Sequence, residues 1–155
     1  MAIPVLLSDS EQVAKVVCDL PLFFDALVQR FWPGGLTLVV PRQPRVPDLL
    51  SGGAPSIAVR MPNHAVALRL IAGFGGVLAV TSANISGRPS PTTAEQVLAD
   101  LCGRIAVLID DGLCPGGVAS SLVDLTASPP ALLREGTLPF GTLRQIVPTL
   151  VRASR

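Results

Sequence analysis

Apolar residues recur along the chain at two periods, and the changes of period mark its elements. Residues 3–7 form a short apolar run that reads as a strand. Ser8 and Asp9 then open a helical pattern continued by Val13, Val16, Val17 and Leu20. Residues 21–31 predict a second helix, with Phe23, Leu27 and Phe31 at helical spacing and Pro33-Gly34-Gly35 ending it. Residues 36–40 read as a strand, and the proline-rich connection 41–53 includes a short helical turn over 46–50. Residues 56–60 alternate as a strand, 65–72 are helical, and 77–80 form a buried strand. A helix opens after Pro91, capped by Thr92 or Thr93 with Glu95 or Gln96 in support, and runs to about Leu101. Further strands are expected over 105–109, 121–124 and 131–134, and a closing helix over 142–147.

Strands and helices alternate irregularly, and several strand-to-strand steps have no helical crossover. The pattern predicts a single α/β domain, a twisted open mixed sheet with flanking helices, rather than a pure Rossmann order. A chain of 155 residues suits one domain with a real core.

Composition sharpens this picture. Apolar residues make up 49% and charged ones 15%, and the mean hydropathy is +0.55, which leaves apolar surface to be covered by a partner. The net charge of +1 gives no bulk attraction to nucleic acid or membrane. Lys15 is the one lysine among twelve basic residues, and the arginines suit bidentate gripping of carboxylate or phosphate, although a GC-rich genome produces the same bias. The first residues carry no basic leader, and glycines and Asn84 interrupt the longest uncharged stretch, 70–87, so a cytoplasmic protein with no membrane span is expected. Cys18, Cys102 and Cys114 lack metal or disulfide spacing and are expected as buried thiols. His64 with a serine and Asp110 or Asp111 suggests a hydrolase triad only weakly, because there is no Gly-x-Ser-x-Gly elbow. Asp110, Asp111 and Asp124 read as turn acids more readily than as metal ligands.

The most informative stretch is Thr81-Ser-Ala-Asn-Ile-Ser-Gly87, where a buried strand opens into small hydroxyl and amide side chains suited to a polar ligand. It stands in an ordered series with Trp32-Pro-Gly-Gly-Leu-Thr37, Ser56-Ile-Ala-Val-Arg60-Met-Pro62, Ser120-Ser-Leu-Val-Asp124 and Leu133-Arg-Glu-Gly136. In this order the series resembles the Sua5/YrdC/YciO family, the threonylcarbamoyl-AMP synthases of tRNA modification, from about Ile3 to about Ile146.

The resemblance implies a YrdC-like fold and a reaction joining L-threonine, bicarbonate and ATP into threonylcarbamoyl-AMP and pyrophosphate. It assigns Arg60, Ser82 and Ser120 to threonine, and Ser56, Asn84, Thr92 and Arg134 to ATP, with no dedicated protein nucleophile and no protein metal ligand. Mg²⁺ is expected on the phosphates, and downstream t6A transferase proteins as partners. Plainer roles stand beside these. Arg60 is also a strand-end arginine, Ser56 a strand-opening serine, Asn84 a turn former, Thr92 a helix cap, and Gly116 and Gly117 a simple turn. Trp32-Pro-Gly-Gly-Leu-Thr37 reads as architecture, with Gly35 where the family usually has proline. The alternatives are a module binding double-stranded RNA or tRNA, and a YciO-type or carbamoyl-transfer paralogue.

Members of the family normally open with Pro-Thr-Asp/Glu-Thr-x-Tyr-Gly-Leu and a helix bearing Lys-x-Arg, and Met1 aligns just after these. ATP brings about four negative charges that need paired cations when buried. The expectation is therefore a family domain over residues 1–155 without that first strand and helix, from a misassigned start, a truncated gene or a split protein, and with little or no activity as it stands.

Overall fold

In the computed structural model the chain is described over residues 3–114 and 118–153, so Gly116 and Gly117 lie outside the described residues. It divides into a sheet-bearing unit, residues 1–80 with 119–155, and a second unit, residues 81–118.

Among the described residues, seven strands form the first unit's sheet: β1 (Val5–Leu7), β2 (Leu36–Pro41), β3 (Ser56–Arg60), β4 (Val77–Ala79), β5 (Ser121–Asp124), β6 (Ala131–Arg134) and β7 (Val151–Arg152). Their spatial order is β4-β1-β3-β2-β5-β6-β7. The pairs β1/β3, β2/β5 and β6/β7 are parallel, whereas β1/β4, β2/β3 and β5/β6 are antiparallel. The expected mixed sheet is thus present. Its central strand β2 reads Leu-Thr-Leu-Val-Val-Pro and is apolar on both faces because both faces are covered. Around it are α1 (Phe24–Phe31), α2 (Asp48–Ser51), α3 (Ala65–Gly73) and α5 (Phe140–Ile146); Phe24 and Leu27 of α1 and Leu143 of α5 are buried in the core with Leu36, Leu38 and Val59. The second unit contributes α4 (Ala94–Leu101).

Several expectations are corrected. The segment after Asp9 is a 3-10 helix over Ser10–Lys15; Asp9 caps it by accepting from the Glu11 N–H, but Leu20 is left 53% exposed beyond its end. The second helix starts at Phe24, since Phe23 adopts a left-handed conformation with φ 71° and no helix continues backwards through it. The short helix lies over Asp48–Ser51 and ends where Gly52 takes φ 64°. Strand β4 is half-buried to exposed, not buried, because it lies at the end of the sheet. Residues 105–109 form no strand: their apolar run finds no partner in the sheet, and Val107 is 76% exposed. Strand β7 has no apolar alternation to announce it and exists through its parallel pairing with β6. All three cysteines are exposed rather than buried. No helix among the described residues is long and apolar enough to cross a membrane.

Candidate functional site

Strand order brings four separated residues to one end of the sheet. Arg60 closes β3, and because β2 runs antiparallel to β3, the beginning of β2 at Leu36 and Thr37 lies beside it. β5 runs parallel to β2 with Ser121 opposite Leu36, so Ser120 just precedes the same edge. β6 returns antiparallel, with Arg134 opposite Leu122. Three of the sequence-predicted residues, Arg60, Ser120 and Arg134, therefore meet, and Thr37, read from sequence as architecture, joins them.

The contacts are specific. Arg134 donates from Nε to the Ser120 carbonyl at 3.0 Å and from Nη2 to Ser120 Oγ at 3.2 Å. Ser120 Oγ lies 2.7 Å from Thr37 Oγ1, and both residues are buried. Arg60 donates from Nε to the Gly34 carbonyl at 2.8 Å, which leaves its terminal nitrogens without a partner among the described residues. Its pKa is lowered from the usual arginine value, first by burial and then by repulsion from the Arg134 guanidinium. Two guanidiniums that repel each other beside buried hydroxyls make a site poised for an anion.

The frame around these groups is tight. Trp32 Nε1 donates to the Leu36 carbonyl at 2.9 Å, and the Trp32 ring meets Phe24 edge-on, as expected for packing. The fully buried Ser121 hydroxyl donates to the Leu138 carbonyl at 2.7 Å and accepts from the Gly136 and Leu138 amides at 2.9 and 3.0 Å. At Gly136 a Cβ overlaps the Ala119 carbonyl oxygen, so glycine is needed for the close approach. At Gly35, where the family usually has proline, a Cβ overlaps Thr137 Oγ1, which donates to the Gly35 carbonyl at 3.2 Å. Glu135 faces away from its neighbour Arg134, accepting from the Phe140 amide at 2.8 Å and pairing with Arg152. Arg152 also stacks over the Phe140 ring, 4.5 Å from its centroid.

Ser56 is not gathered in with the others. It opens β3 opposite Pro41, about 13 Å along the strand from Arg60. The remaining sequence-predicted residues belong to the second unit. Ser82 is exposed there. Asn84 Nδ2 donates to the Ile85 and Arg88 carbonyls at 3.1 and 2.8 Å, the turn-forming role, while its Oδ1 is buried with no partner among the described residues. The cap of α4 is Thr93, whose Oγ1 accepts from the Gln96 amide at 3.3 Å; Gln96 in turn accepts from the Thr92 amide at 2.7 Å, so Thr92 flanks the cap and is not the cap itself. His64 caps α3, accepting from the Ala67 amide.

No group of three histidine, cysteine or carboxylate side chains able to hold a metal occurs among the described residues. Two arginines and neutral hydroxyls do not make a donor set for a hard cation, so this end of the sheet fits an anion and not Mg²⁺ itself. Two apolar surface cavities of about 470 and 500 Å³ lie elsewhere in the first unit, and neither includes Arg60, Ser120 or Arg134 in its lining.

Comparison with known proteins agrees with the motif order. The Sua5/YciO/YrdC family model, described as "Telomere recombination", matches residues 1–136. The threonylcarbamoyl-AMP synthase of Pyrococcus abyssi is 44% identical over 88% of this chain and 40% of its own length. That of Bacillus subtilis is 41% identical over 84% of this chain and 38% of its own. The crystal structure of P. abyssi Sua5 complexed with L-threonine superposes with a TM-score of 0.93 at 40% identity, covering 98% of this chain and 45% of that one. The chain spans about two-fifths of the length of these curated relatives. Nearly the whole chain matches, in sequence and in fold alike, and the chain belongs to the Sua5/YciO/YrdC family.

Proposed function

We propose that this chain carries the amino-acid and nucleotide-binding fold of a threonylcarbamoyl-AMP synthase, acting in tRNA modification on L-threonine, bicarbonate and ATP. The observation that carries the reading is the convergence of Arg60, Ser120 and Arg134 at one end of the sheet, with two unneutralised guanidiniums and a buried hydroxyl awaiting an anion. In this reading the unpartnered fork of Arg60 grips the threonine carboxylate, and Ser120 supplies a hydroxyl to the same amino acid. Arg134, tethered through Nε and Nη2, presents its remaining N–H groups to phosphate oxygens. Ser56 in the first unit and Asn84 and Thr92 in the second are the further proposed ATP contacts, and Ser82 a further threonine contact. The Asn84 Oδ1, without a partner among the described residues, supports a ligand there, since a buried acceptor left unpaired is costly until one arrives.

The chemistry asked of such a site is positioning and charge neutralisation. The threonine amine and bicarbonate give threonyl carbamate with loss of water; a carbamate oxygen then attacks the α-phosphorus of ATP, a new P–O bond forms, and the bond to pyrophosphate breaks with its electron pair leaving on pyrophosphate. Mg²⁺, when bound by the phosphates, offsets their charge. No side chain of this chain needs to become covalently bonded.

Titration of the 155-residue chain with L-threonine tests the reading without requiring turnover. Binding that weakens at least tenfold in Arg60→Ala is expected, as the loss of a charge-assisted contact. A chain that folds but takes up no threonine overturns it.

A further inference from the structure

Thr37 is anomalous in its strand. It sits between Leu36 and Leu38 on the central β2, is 5% exposed, and has Ser120 Oγ as its side chain's one hydrogen-bond partner among the described residues. Valine has nearly the same shape and removes the cost of burying a hydroxyl, so packing alone does not account for threonine here.

Hydrogen-bond bookkeeping at Ser120 points to what that hydroxyl does. A serine hydroxyl has one proton to donate and two lone pairs to accept with. Arg134 Nη2 takes one lone pair of Ser120 Oγ. Thr37 Oγ1, at 2.7 Å, either takes the Ser120 proton or supplies its own to the second lone pair. In the first case Ser120 has nothing to donate, and the Thr37 proton is left buried without an acceptor. In the second, Ser120 accepts from both Thr37 and Arg134, and its O–H is available to an anionic oxygen drawn in by the two guanidiniums. Each donor in that chain strengthens the next by polarisation.

Building on the proposed threonine site, we propose that Thr37 is a positioning residue: its hydroxyl donates to Ser120 Oγ and so holds Ser120 as a hydrogen-bond donor to an anionic oxygen of the bound amino acid. Thr37 itself touches no ligand. Its effect therefore passes entirely through Ser120.

The test is calorimetric titration of L-threonine into the 155-residue chain carrying Thr37→Val, Thr37→Ser, Ser120→Ala and the double change Thr37→Val with Ser120→Ala. Thr37→Val is expected to weaken binding about tenfold while leaving the melting temperature level or higher, and Thr37→Ser to remain within about threefold of the parent. In the Ser120→Ala background, Thr37→Val is expected to add no further loss, because the two hydroxyls act as one unit. Thr37→Ala, measured alongside, secures the comparison should the valine variant not fold. Binding by the parent that is indifferent to Thr37→Val, or a loss that persists in full without the Ser120 hydroxyl, overturns the positioning role alone. Absence of threonine binding in the parent overturns the proposed function and this inference together.

Discussion

The two units hold their polar side chains by different means. In the sheet-bearing unit, Thr37, Ser120 and Ser121 are buried and fastened between strands, and the whole buried apolar core belongs to this unit. In the second unit no described residue is fully buried; Leu98 of α4 is 42% exposed, and order comes from short-range bonds such as Asn84 to Arg88 and the Thr93 cap. Groups locked by packing keep their geometry before a ligand arrives. Groups held by exposed local bonds open at lower free-energy cost, because few apolar contacts must break with them.

Emptying the core separates the two units most strongly. Leu143→Ala is expected to cost about 2–5 kcal/mol in urea unfolding, whereas Leu98→Ala costs under about 1 kcal/mol because the side chain is already half in water. Comparable losses at the two positions would show that the second unit is as tightly packed as the first. Next in size is Arg60→Lys, which keeps the charge but loses the planar fork and the Nε bond to Gly34. Threonine affinity is expected to fall by about 1.5–3 kcal/mol with little change in stability, read by calorimetry and thermal melting together.

A smaller effect is expected at the α4 cap. Thr93→Ala should cost about 1 kcal/mol of local stability, seen as faster amide exchange at Gln96 and Val97 and no change at Ser121. Exchange that quickens equally in both units would remove the distinction between them. The smallest concerns Glu135, whose pKa is lowered from 4.5 by the Phe140 amide and then by Arg152. Because the folded value lies below the unfolded one, its stabilisation is full above pH 4.5 and is lost as pH falls through the lower folded value. Glu135→Gln should flatten that acid limb of the melting profile; an unchanged limb would assign the acid sensitivity to other carboxylates.

Much of the fold was legible because apolar period and burial go together wherever a strand is paired. The spans of β3, β5 and β6 match the sequence expectation residue for residue, each apolar run being bounded by proline, glycine or a polar pair. The same reasoning failed over residues 105–109, an apolar run that finds no neighbour, and over Val151–Arg152, which has no pattern and does find one. Pairing is a property of the sheet and not of the segment. At the site, Arg60, Ser120 and Arg134 could be picked out from motif order, whereas Thr37 could not. A threonine in an apolar strand is ordinary β-former chemistry until its hydroxyl is known to face another one.

The alternation of elements, the excess of arginine over lysine, the motif order that marks the family, and the residue types available to an anion are all written in the linear chain. Which of them act together depends on strand order in the folded sheet. Thr37 and Ser120 are 83 residues apart in the chain yet share one buried hydrogen bond, because β5 pairs parallel to β2 and brings the two chain segments into register at the same edge. Such a contact is set by strand order and by the exclusion of water from both hydroxyls, and neither is written in the local pattern of either segment.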